Sequence, residues 1–212
     1  MAGCAAQEPA QIVRYAEAFV PTEYGRMRVL VYREEGLPQE HCAIAYGEVA
    51  GQEGLLTRVH SECFTGEVLH SLKCDCREQL QDALRQIAKE GRGMVLYLRQ
   101  EGRGIGLGNK IRAYGLQEQG LDTVEANHIL GFPDDLREYD VAAAMLRILG
   151  VKSVHLITNN PKKIKGLEKH KIVVNQRIPL QIEPNSINKF YLQTKAKKSG
   201  HLLNLAEGFS VA

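Results

Sequence analysis

At Arg77 the apolar residues of the chain change period, and that change limits what it can fold into. Upstream, VRYAEAFVPTEYGRMRVLVYREEG, HCAIAYGEVAG and LLTRVHSE carry short β-branched and aromatic runs broken by Gly and Pro, the pattern of strands joined by turns. Downstream, Leu80, Ala83, Leu84, Ile87 and Ala88 recur at helical spacing until Gly91 stops the run. MVLYL (94–98) then reads as a buried strand, residues 109–119 as a helix ended by Gly120, and AAAMLRIL (142–149) as a helix closed by Gly150. SVHLIT (153–158) reads as a strand and PKKIKGLEKH (161–170) as a helix with Pro at its first position. A last helix is expected over 186–198. With no internal repeat, linker or low-complexity segment, this order predicts a single compact α/β domain.

Composition narrows the function. Of 212 residues, 44% are hydrophobic, enough to bury a sizeable core. The net charge of +2 is too mild for nucleic-acid binding through bulk charge, so an anionic partner must meet a local cluster. The first residues, MAGCAAQEPAQ, lack the basic and apolar regions of a secretory leader, and no window approaches the roughly 18 apolar residues of a membrane span. A cytoplasmic protein without membrane or nucleic-acid partners is expected. In that compartment thiols stay reduced, so a tight cysteine cluster points to metal rather than to disulfides.

Such a cluster stands in RVHSECFTGEVLHSLKCDC (58–76), where Cys63, Cys74 and Cys76 are spaced C-x10-C-x-C; Cys4 and Cys42 are read as bystanders. The C-x-C pair puts two sulfurs on one tight turn, and Cys63 reaches back from the preceding segment, giving three ligands suited to zinc. A fourth from His60 or His70 would close the site into a staple. A fourth position left to water would make it catalytic. Spacing leaves both readings open beside a third, three packed cysteines without metal. Three thiolates around a dication carry a net charge of about −1, which acidifies bound water less than a three-histidine site does.

Two further segments suit phosphate. RQEGRGIGLGNKIR (99–112) interleaves Gly102, Gly104, Gly106 and Gly108 with Arg99, Arg103, Lys110 and Arg112, directly after the MVLYL strand. Its glycines let backbone N–H groups approach an anion, although the string matches neither the dinucleotide-binding nor the Walker pattern. In TNNPKK (158–163), Lys162 and Lys163 fall in a first helical turn, where they oppose the helix dipole and favour an anionic ligand, although a solvated lysine pair is the commoner case.

RVHSEC, the cysteine cluster, RQEGRGIGL, NKIRAY, DTVEAN, the D-x-R of Asp135 and Arg137, TNNPKK and TKAKKSGHLL occur in order between about Ile12 and Leu203. Together they resemble the GTP cyclohydrolase II family. The resemblance implies an α/β fold with a mixed β-sheet and flanking helices over residues 12–204, with tails at 1–11 and 205–212. It implies hydrolysis of GTP to formate, pyrophosphate and 2,5-diamino-6-(5-phosphoribosylamino)pyrimidin-4(3H)-one, the first committed step toward riboflavin. Cys63, Cys74 and Cys76 would hold a catalytic zinc, with Mg²⁺ accompanying the triphosphate. Asp135 would be a proton acceptor, Arg137 a nucleophile toward the α-phosphate, and Tyr114 a neighbour of the zinc and the imidazole ring. Arg58, Val59, His60, Ser61, Glu62, Gln79, Glu101, Gly102, Arg103, Thr123, Thr158 and Lys163 would contact GTP.

The resemblance also implies a homodimer. No motif of a dihydroxybutanone phosphate synthase domain accompanies these, so a monofunctional enzyme is expected. A guanidinium with a pKa above about 12 is an unusual nucleophile, and a triphosphate clamp is the alternative role for Arg137. Two rivals follow. One is a zinc-stapled nucleotide- or nucleic-acid-binding module with a closed Cys3His site. The other is a paralogue that opens the ring but stops before losing formate or pyrophosphate.

Overall fold

The computed structural model describes residues 11–189, 191–192, 200 and 202. The upstream runs form β1 (Ile12–Thr22), β2 (Gly25–Glu34) and β3 (Glu40–Tyr46), an antiparallel meander, followed by β4 (Leu55–Ser61). After a single turn, α1 (Phe64–Glu67), come α2 (Cys76–Glu90), β5 (Gly93–Leu98), a 3₁₀ turn (Glu101–Gly104), α3 (Gly106–Gln117) and α4 (Thr123–Ile129). The chain continues through α5 (Asp140–Ile148), β6 (Ser153–Ile157), α6 (Pro161–Lys169) and β7 (Val173–Ile178).

All seven strands join one mixed sheet in the order β1-β2-β3-β5-β4-β6-β7. The switch strand is β5: Ala43↔Leu96 pairs it antiparallel to β3, and Val59↔Leu96 pairs it parallel to β4. Since β6 and β7 continue the parallel half, the carboxyl ends of β4, β5 and β6 share one edge, where open α/β sheets bind ligands.

Both sheet faces are covered, which is why β5 reads as a continuous apolar run. Its alternation sends Met94, Leu96 and Leu98 into a core closed by Ala142, Met145 and Leu146 of α5 and Leu167 of α6. Val95 faces the other way, against Ala83 and Ile87 of α2.

The expected elements recur with small shifts. The 109–119 helix starts at Gly106, because the last glycines of the loop already lie inside the helix. Sequence reading passed over α4, although Asp122 and Glu125 form a reciprocal capping box at its start, and it passed over β7. Of the helix expected over 186–198, residues 190 and 193–198 lie outside the described residues. So do residues 1–10 and 205–212 of the expected tails, Cys4 and most of TKAKKSGHLL.

The β4–β5 approach depends on Gly93. With φ at +152°, a Cβ here would stand 2.5 Å from the Leu56 carbonyl oxygen and 3.1 Å from the Ile87 side chain. Gly93→Ala is therefore expected to cost about 2 kcal/mol of stability in urea unfolding. A loss below about 0.5 kcal/mol would show that the strand pair yields at this point.

Candidate active site

The turn that follows β4 is held by two buried carboxylates. The Cys63 N–H donates to Glu67 Oε1 at 3.0 Å, and the next N–H, that of Phe64, donates to Glu101 Oε2 at 2.6 Å. Glu67 also accepts the Tyr97 hydroxyl at 2.6 Å and lies 2.8 Å from His60 Nε2. Cys74 and Cys76 arrive from the other side, where Cys76 opens α2. The three sulfurs lie within 4.8 Å of one another, with Cys63 and Cys74 3.7 Å apart. Tetrahedral zinc with bonds of about 2.3 Å wants sulfurs about 3.8 Å apart, so the donor set fits that ion. Gly66 makes room for it: a Cβ there would sit 2.9 Å from Cys74 Sγ and 3.2 Å from Cys63 Sγ.

Neither histidine completes the set. Arg58 Nε donates to His60 Nδ1 at 3.1 Å, which leaves Nε2 to donate to Glu67. Burial, then Arg58 and Lys163, hold this ring well below the usual histidine range, so it is neutral with both nitrogens engaged. His70 is exposed, and among the described residues the cluster consists of the three cysteines. Within it, hydrogen bonds from Cys74 and Cys76, with Lys110, draw the Cys63 thiol far down. Cys74, bonded to Cys63, is pushed up to about 11.

From His60 a polar chain runs on to the second cysteine segment. Arg58 Nη2 donates to Gln79 Oε1, and Gln79 Nε2 to Asp75 Oδ2, each at 2.5 Å. Asp75 stands between Cys74 and Cys76, so the chain ties both cysteine segments to β4. Burial lowers Arg58 to about 10, and its Nη1 also donates to the Ile157 carbonyl.

The two phosphate candidates lie beside the cysteines. In the loop after β5, Gly102 and Arg103 both take left-handed φ, 63° and 61°, and Arg103 pays the usual strain of a residue with a Cβ. Lys110 Nζ donates to Cys63 Sγ at 3.2 Å and to Glu101 Oε1 at 2.8 Å. At the start of α6, Asn160 caps Lys162 N–H while Lys163 Nζ reaches the Val59 carbonyl at 2.6 Å. Arg137 grips Asp135 through two bonds, Nε–Oδ1 at 2.8 Å and Nη2–Oδ2 at 2.7 Å. Burial opposes both charges, yet the pair prevails: Asp135 stays below the usual carboxylate range and Arg137 above that of free arginine.

One cavity at the carboxyl edge is lined by Arg58, His60, Ser61, Glu62, Cys63, Cys76, Gln79, Glu101, Gly102, Arg103, Arg137, Thr158 and Lys163. Five basic side chains (Arg58, Arg103, Lys110, Arg137, Lys163) line it beside three carboxyl groups (Glu62, Asp75, Glu101), a concentration of N–H donors that suits an anion. Tyr114 and Thr123 line an adjoining cavity that shares Gly102, Arg103 and Lys110 with the first. Burial pushes Tyr114 up to about 12. The Val59 side chain belongs to the core, and Asp135 stands behind Arg137. Glu67, Tyr97 and Asp75 were not singled out from sequence. Only the last, inside C-x-C, carried a positional signal.

The profile of the family described as GTP cyclohydrolase II matches residues 13–179. A GTP cyclohydrolase-2 of Tolumonas auensis is 54% identical over 189 residues, 89% of this chain and 96% of that protein. Riboflavin biosynthesis protein RibBA of Bacillus subtilis is 55% identical over 194 residues, 91% of this chain and 49% of its own length. Its Bacillus mycoides namesake is 53% identical over 194 residues, 92% and 49% respectively. The chain spans about half the length of these RibBA relatives.

Gly66→Ala should fold normally yet bind zinc roughly 10- to 100-fold more weakly in chelator competition, because its methyl group presses on two sulfurs. Unchanged affinity would mean that the cluster has slack. His60→Ala should keep one zinc per chain by elemental analysis, whereas loss of the metal would restore the Cys3His reading.

Proposed function

The chain belongs to the GTP cyclohydrolase II family, and on that premise we propose that it hydrolyses GTP. The proposed reaction opens the imidazole ring, releases C8 as formate and cleaves pyrophosphate, giving 2,5-diamino-6-(5-phosphoribosylamino)pyrimidin-4(3H)-one for riboflavin biosynthesis. What carries this reading is one juxtaposition: a three-cysteine cluster opens, through Cys63 and Cys76, into the same cavity as five arginine and lysine side chains. A purine triphosphate needs both, one at the ring and one at the phosphates.

Cys63, Cys74 and Cys76 would hold zinc, which when bound supplies a Lewis acid that acidifies water for attack on an amidine carbon. Tyr114 keeps its proton at neutral pH, so it serves as a hydrogen-bond donor on the ring side of the adjoining cavity. Arg103, Arg137 and Lys163 would face the triphosphate, with Mg²⁺ neutralising the remaining charge. The remaining positions assigned to GTP all line the cavity and differ in their bonds. Beside Ser61, Glu62, Glu101, Gly102 and Thr158, the lining residues Arg58, His60 and Gln79 are bonded to one another and so fix the shape of the wall.

The grip of Asp135 on Arg137 bears on the D-x-R motif. A guanidinium fixed in two bonds, with its charge reinforced, is a poor nucleophile and a good clamp. Asp135 then acts as the orienting partner of Arg137. We also propose a homodimer, for which the edge strand β1 offers exposed Val13, Tyr15 and Phe19. Light scattering gives the mass directly.

The test is a discontinuous assay of zinc-loaded protein with GTP and Mg²⁺. Formate, pyrophosphate and the pyrimidine should appear in equal amounts. Ring opening without pyrophosphate would identify the truncated reaction, and no turnover with zinc bound would return the cluster to a structural staple. For the clamp, Arg137→Lys should lose roughly tenfold and Arg137→Ala roughly 100-fold in pyrophosphate release, since lysine keeps the charge but not the fork. Equal and complete inactivity of both variants would favour a covalent role.

A further inference from the structure

Three thiolates around zinc leave one negative charge in a buried site, beside a cavity meant for a polyanion. That charge works against the ion's capacity to acidify water and against the approach of a triphosphate. One side chain is placed to offset it. The Lys110 ammonium lies 3.2 Å from Cys63 Sγ, and Glu101 Oε1 fixes it from behind at 2.8 Å. Its side chain is 12% exposed, so water screens the contact little.

The surroundings are shaped for this contact. Gly102 lets the stem pass, because a Cβ there would lie 3.1 Å from Lys110 Cβ. The ammonium also stands 5.8 Å from the centre of the Tyr114 ring, one helical turn on, and lines both cavities.

We propose that Lys110 is a positioning residue of the metal centre: by donating to Cys63 Sγ it draws electron density off that thiolate and offsets part of the negative charge of the zinc-loaded cluster. This inference rests on the reading of the cysteines as a metal site. A lysine that only paired with Glu101 would stabilise the loop but leave the electronics of the thiolate unchanged.

Cobalt(II) in place of zinc reports the difference through its thiolate-to-metal charge-transfer band. Lys110→Met should move this band to longer wavelength, since a thiolate relieved of an N–H donor gives up electrons more readily. Lys110→Arg, which keeps charge and donors, should restore it toward the original position. With zinc and GTP, Lys110→Met should lower kcat for formate release roughly tenfold or more, and Lys110→Arg should recover part of it. If Lys110→Met does not accumulate as folded protein, Lys110→Leu, which likewise has neither charge nor N–H donor, takes its place with the same expected shift. Cobalt bound with an unmoved band in the neutral variant would overturn the role of Lys110 and leave the metal reading standing. Failure of the unaltered protein to show any thiolate band would overturn both.

Discussion

The grip of Glu67 and Glu101 on two successive backbone N–H groups is the constraint from which the site follows. Each carboxyl group is largely buried, where its oxygens must be satisfied, and burial pushes Glu67 up to about 7. Glu67 is met by Cys63, His60 and Tyr97, and Glu101 by Phe64, Gly102 and Lys110. These partners come from β4, β5, α1 and α3, so the Cys63 turn forms only when those elements are in place. Parallel pairing of Ser61 with Leu98 then matters beyond the sheet: it brings the Cys63 turn and the Glu101 loop out of the sheet side by side.

A second consequence is electrostatic. On the proposed reading, a metal cluster rich in thiolate and a substrate rich in phosphate would repel each other, and a cavity that served both would separate them with cations. Arg103, Arg137 and Lys163 line that cavity, while Lys110 lines it with its ammonium on Cys63 Sγ. Arg58 is spent differently. Buried and bound to His60 and Gln79, it braces the wall that joins the two cysteine segments. A single residue type thus serves binding in one place and construction in another.

Much of this was legible in the sequence because it is local. The helical run from Leu80 to Ala88, its stop at Gly91 and the Pro161 start needed only period and punctuation, and the C-x10-C-x-C spacing needed only ligand chemistry. Two phosphate-binding candidates could be named, but that they share one cavity depends on β5 and β6 flanking β4 in the sheet, an order no periodicity encodes. Glu67 stayed hidden for a related reason: a glutamate four residues after a cysteine is unremarkable until Tyr97, His60 and the Cys63 N–H converge on it. His60 looked like a possible ligand for the same reason in reverse. Its type and spacing fit zinc, and only its bonds to Arg58 and Glu67 remove it.

The central claim is that three cysteines hold a metal whose fourth position belongs to water. X-ray absorption at the zinc edge of the loaded protein measures this directly. The account predicts three sulfur scatterers at about 2.3 Å and one oxygen at about 2.0 Å, without the outer-shell pattern of an imidazole ring. An imidazole pattern, or a fourth sulfur, would describe a closed structural site and contradict it.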